Sequence, residues 1–354
     1  MNKEGVAKSN HVRDFSLTFI QLISAMAVVT LHTNGCFWEF SATKRYWYSA
    51  NIIECVCYFA VPVFFMITGI TLLDYQDRYT TKEYLIKRTK KTVIPYIAWS
   101  FIGIVFLLYT GDLSYRAITP LWVINGLLTG DKIIGLYWFF IPLFCTYLCI
   151  PAFAAIEKKK KRAIAKYLLI TGMLINVLPP FFIKLTDLQI QWNNNISIIS
   201  GYLFWVWCGY YLYYYPPNKS QKTMIYCLSV IGLVAQIMGT YKLSIEAGSI
   251  QTLFKGYVNL PNIMYTTGVF IFLKDIAGTI AKCNRLRAVI VFLGKFTLPL
   301  YLMQWFWLKI FENLQVFDRY SLFYRLAVPY LILFLTVVIT LCMKRTPGLR
   351  AIVP

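Results

Sequence analysis

The 354-residue chain carries 35 Lys and Arg against 15 Asp and Glu, a formal net charge of +20, yet only 14% of its residues are charged while 58% are hydrophobic and 18% aromatic. Average soluble domains are about 25% charged and roughly 45–50% apolar, so this composition excludes a soluble globular core, a disordered chain and a disulfide scaffold. Nucleic-acid binding, which needs a solvated basic face, is excluded because the bases lie scattered between long apolar runs.

A membrane-crossing helix takes about 20 mostly apolar residues. On that measure a polar tail, residues 1–14, leads into a first span at Phe15–Thr33. That run is longer than a signal-peptide core and has no small-residue cleavage site after it, so it is read as a retained span. Further spans are expected at Asn51–Leu73, Val93–Tyr109, Gly135–Ile156, Ile164–Phe182, Ile196–Tyr215, Met224–Thr240, Tyr257–Leu273, Phe296–Phe311 and Leu322–Met343. Two apolar runs, Leu121–Leu128 and Val289–Leu293, are too short to cross and read as interfacial or re-entrant. The expected architecture is all-α, a polytopic transmembrane helical bundle of about ten spans forming one membrane domain over residues 15–343, with a short tail at 344–354.

With the N-terminus on the cytoplasmic side, 25 of the 35 Lys and Arg fall in inner segments and 10 in outer ones, the asymmetry that sets membrane orientation. Both termini are therefore expected inside. The nine Cys are scattered, with Cys36 alone in an outer segment. They read as small packing residues, and no constellation for a metal is apparent.

Polar groups at membrane depth mark functional candidates. The first span holds Gln21 and His32, eleven residues apart, which places both on one helix face about 16 Å apart along the axis. Ser24, Ala25 and Val28 lie between them, a small and apolar stripe that could border a narrow channel. Two readings of His32 stand at this level: an interfacial side chain bonded to water or a carbonyl, or a general base that activates a hydroxyl or briefly carries an acyl group. The other histidine, His11, reads as a solvated interfacial residue. Glu54, at the outer end of the second span, is either solvated or level with His32 and able to orient it. The inner run KRTKKTVIPY brings Lys87, Arg88, Lys90 and Lys91 to the expected start of the third span. Bases at a helix N-terminus form a phosphate site; the same charges also serve topology and anionic lipid. Aromatic groups such as Tyr137-Trp138-Phe139-Phe140 stack on sugars or form interface belts and core.

Five segments in order carry a resemblance to a known family: SAMAVVTLHTNG, VPVFFMITGITLL, KRTKKTVIPYIAW, LYWFFIPLFCTYLCIPAF and FLGKFTLPLYLMQ. Together they resemble the acyltransferase-3 family, especially its surface-polysaccharide O-acyltransferase branch. The resemblance implies a membrane O-acyltransferase that takes an acyl group, usually acetyl, from cytoplasmic acyl-coenzyme A and passes it to a hydroxyl of a cell-surface or lipid-linked glycan. Acetyl-CoA is then a donor substrate and no permanently bound cofactor is implied. His32 falls at the family's catalytic histidine; Glu54 would support it. Arg88, Lys91, Lys87 and Gln21 would meet the donor, and Trp138 and Gln304 the acceptor. Membrane lipids and the glycan are the implied partners, with no nucleic acid, and the plasma membrane is the implied location.

The sequence departs from the family at three positions. Gln21 stands where an Arg is common, Thr18 where an acid is common, and Gln304 where a late histidine is common. Gln hydrogen-bonds a carbonyl but cannot neutralise a phosphate. A transporter or flippase-like protein for an amino acid or a lipid-linked sugar, without acyl transfer, is the competing expectation.

Overall fold

The computed structural model describes residues 3–353, with side chains described from Phe15 onward; His11 lies outside the described side chains. Among the described residues there is no strand. The helices in chain order are α1 (Lys3–Thr33), α2 (Arg45–Cys57), α3 (Ala60–Leu72), α4 (Thr81–Arg88), α5 (Ile94–Thr110), α6 (Pro120–Thr129), α7 (Phe140–Ala154), α8 (Lys158–Gly172), α9 (Leu178–Leu185), α10 (Tyr202–Tyr214), α11 (Lys219–Ala247), α12 (Leu260–Ile280), α13 (Asn284–Gly294), α14 (Thr297–Asn313) and α15 (Leu322–Arg345).

Eight helical stretches of the described residues are long and apolar enough to cross a membrane, and a ninth forms if α13 and α14, bent by 63°, count as one broken span. The polytopic helical bundle is thus present. The expected sixth span, Ile196–Tyr215, is shorter than anticipated: its helix is the 13-residue α10, about 20 Å long against a hydrocarbon thickness near 30 Å. Gly201, at φ +56°, starts it and Pro216-Pro217 cannot continue it. The short run Leu121–Leu128 forms the 10-residue α6, and Val289–Leu293 lies in α13.

By its internal packing the chain divides into two compact units. The first comprises Met1–Thr71, Glu157–Thr297 and Asp318–Tyr330. In it α11 and α12 pack along their length, α1 lies against α12, α13 and α2, and α8 lies against α10. Backbones meet where glycine permits: a Cβ on Gly69 of α3 would sit 1.9 Å from the Val206 carbonyl oxygen of α10, and one on Gly209 2.4 Å from Met66. Small residues at crossings allow this close approach in membrane helices.

The second unit comprises Leu72–Ile156, Leu298–Phe317 and Leu331–Pro354. Its core is aromatic and aliphatic, built on Tyr96, Trp99, Tyr137, Phe140, Leu302 and Phe306. The Trp99 indole donates to the Ile352 carbonyl at 2.9 Å, which fastens the C-terminal end to this core.

Candidate functional site

In the first unit, α1 carries the polar stripe. His32 is half-buried in the last turn of α1. Between it and Gln21, Ser24, Ala25 and Val28 are buried at 0%, 4% and 4% exposure, so the stripe anticipated as a channel border is packed. The Ser24 hydroxyl has no hydrogen-bond partner among the described residues. Gln21 donates from Nε2 to Thr297 Oγ1 at 2.8 Å, tying α1 to the start of α14. Thr18 stands against Gly294, where a Cβ would be 2.3 Å from its Cγ2. A threonine here, in place of a longer acid, matches the tight contact.

Glu54 is not solvated: it is 3% exposed. Its Oε1 accepts from Lys255 Nζ at 2.8 Å and its Oε2 from Asn34 Nδ2 at 3.3 Å. The carboxylate therefore answers a lysine and an asparagine that sequence reading did not single out. Lys255 Nζ also lies over the rings of Phe37, Tyr58 and Trp38, at 4.1, 4.5 and 4.6 Å from their centroids, a cation–π enclosure. A second cation, Arg325, is 1% exposed. It donates to Ser49 Oγ at 2.9 Å, to the Tyr320 and Tyr46 carbonyls at 3.0 and 3.3 Å, and to Asn34 Oδ1 at 3.5 Å. In the sequence, Lys255 and Arg325 count only toward the ten bases of the outer segments. A signal was available: each is a lone base in a short aromatic segment, FKGY and YRL.

The second unit holds the basic segment. Its helix begins at Thr81, where Thr80 and Glu83 form a reciprocal capping box. It then runs through a π-helical turn at Thr89–Val93 into α5. Lys87, Arg88, Lys90 and Lys91 thus sit inside a continuous helix, contrary to the expectation of a helix N-terminus. Their backbone N–H groups are engaged within it, so neither unused donors nor the dipole adds to the side-chain charge. Lys87, Lys90 and Lys91 are exposed, with Lys87 Nζ 3.9 Å from the Tyr79 ring centroid. Arg88 lies over the Tyr147 ring at 5.7 Å, and its Nε has no acceptor among the described residues. π-turns recur at functional sites because they re-aim the side chains around them.

Trp138 is half-buried and edge-on to Phe139. Gln304 is fully buried in α14 and donates to the Tyr301 carbonyl at 3.2 Å. The structure therefore sorts the anticipated residues into two sets: Gln21, His32 and Glu54 in the first unit, and Lys87, Arg88, Lys91, Trp138 and Gln304 in the second.

A family model described as an acyltransferase domain matches residues 14–343. No curated protein and no solved structure matches the chain.

Proposed function

The chain belongs to the acyltransferase-3 family, a multi-pass membrane acyltransferase, and from that premise we propose that it moves an acetyl group from cytoplasmic acyl-coenzyme A to a hydroxyl of a cell-surface or lipid-linked glycan at the plasma membrane. The observation that carries this reading is His32, half-buried in the last turn of α1 and the one ionisable side chain of the spanning stretch Phe15–Thr33. As general base, its imidazole takes the acceptor hydroxyl proton while the oxygen attacks the thioester carbonyl. The C–S bond breaks, an ester forms, and the proton passes to the departing thiolate. No net charge is made or lost.

The donor reading is supported by Lys87, Lys90 and Lys91, exposed at three- and four-residue spacing on one helix, and by the Arg88 Nε. Four cations on one helical segment suit the phosphates of coenzyme A. Trp138 is the aromatic face assigned to the sugar.

Purified chain in proteoliposomes, given labelled acetyl-CoA and glycan, tests the reading. His32→Ala is expected to abolish ester formation with the protein still inserted; full acylation by that variant would refute the assignment. Lys87→Gln with Lys91→Gln is expected to raise the donor KM by about tenfold, roughly 1.4 kcal/mol, with kcat nearly unchanged. Transport of the glycan without thioester cleavage would refute acyl transfer.

A further inference from the structure

We propose that Asn34 is the positioning residue for His32, and that Glu54, Lys255 and Arg325 act on the histidine through it. This rests on the reading of His32 as general base. α1 ends at Thr33, and a helix terminus frays unless its last groups find partners. Here the two residues that follow His32 are both held. Thr33 Oγ1 donates to the Arg325 carbonyl at 3.0 Å. Asn34 is fully buried; its N–H closes the last turn on the Thr30 carbonyl at 2.9 Å. Its Nδ2 donates to the Ala50 carbonyl at 2.9 Å and to Glu54 Oε2, and its Oδ1 accepts from Arg325. One asparagine, itself fully buried, thus meets an acidic side chain on its donor side and a basic one on its acceptor side.

A buried ion pair such as Glu54–Lys255 is weak evidence for stability, since desolvation offsets its attraction. Its placement explains it better. With Lys255 on Oε1, Oε2 is left as the acceptor for Asn34. Catalytic groups need to be held within about 0.5 Å of their productive geometry, and a 1 Å displacement costs roughly a hundredfold in rate.

The chain has two histidines, so the full-length protein labelled with ¹⁵N-histidine in lipid nanodiscs gives two sets of imidazole resonances, assigned with His11→Ala and His32→Ala. Asn34→Ala is expected to shift the His32 resonances and their titration midpoint and leave those of His11 in place. It should lower kcat tenfold to a hundredfold with the donor KM unchanged. The double variant Glu54→Gln, Lys255→Met leaves a neutral acceptor for Asn34 and strands neither member of the Glu54–Lys255 pair. It should keep the His32 resonances closer to wild type than Lys255→Met does, which covers the case where Asn34→Ala does not fold. His32 resonances unmoved by Asn34→Ala, or moved equally by the double and single variants, would overturn the proposal. If His32→Ala instead retains acylation, the catalytic reading fails while the resonances still decide whether Asn34 positions the ring.

Discussion

The side-chain oxygens of Glu54 and the ammonium of Lys255 are both withdrawn from solvent, at 4% and 0% side-chain exposure. Removing one partner of such a pair strands the other charge, at a cost of about 3–5 kcal/mol. Lys255→Met is therefore expected to lower thermal stability in detergent by that amount, and Glu54→Gln combined with it should recover much of the loss. A double variant no more stable than the single would show that the pair is not coupled. Cys36 reports on the same neighbourhood. Burial pushes its thiol pKa up, and the nearby Arg325 only partly opposes this. The thiolate fraction at neutral pH is correspondingly below that of an ordinary thiol. Alkylation by a maleimide at pH 7 should be much slower at Cys36 than at exposed Cys283, and should rise with pH beyond the ordinary thiol range.

At the scale of elements, α3 and α10 show how closely two helices approach. Gly209→Val places branched carbon where a Cβ alone would be 2.4 Å from the Met66 backbone, so the helices must separate at a cost of about 1–3 kcal/mol or more. Gly35→Ala is the control, since nothing lies within 4 Å of its Cβ position; its effect should stay within about 0.5 kcal/mol. Equal melting temperatures for the two would remove the argument. The break between α2 and α3 has a local origin. Pro62 lacks an N–H and sits in the first turn of α3, where no intrahelical donor is required. In the basic segment the π-turn was invisible to periodicity, because the apolar pattern begins only at Val93 while the helix begins at Thr81.

Across the whole molecule, the first unit gathers polar side chains from distant parts of the chain. Asn34, Glu54, Lys255 and Arg325 are far apart in sequence or on different helices, and they meet in one network. Lys222 pairs with Asp275 at 2.7 Å, and Lys274 donates to the Tyr213 carbonyl at 2.9 Å. With the N-terminus inside, Lys282→Cys should react only with reagent admitted to the cytoplasmic side and Lys44→Cys with an impermeant reagent outside. The reverse pattern would invert the orientation.

Composition and hydropathy alone determined that this chain is a helical membrane protein, because apolar runs of spanning length leave the backbone no other way to satisfy its hydrogen bonds in lipid. The ordered segments from SAMAVVTLHTNG to FLGKFTLPLYLMQ carried the family, and the spacing of Gln21 and His32 carried the common face of α1. Tertiary structure decided what those residues touch. Periodicity is blind to partners distant in the chain, so it left Glu54 suspended between solvent and His32. Only the folded chain, bringing Lys255 to Glu54 across a sequence separation of 201 and Arg325 to Asn34 across one of 291, turned an isolated acid into the anchor of the turn that follows the histidine.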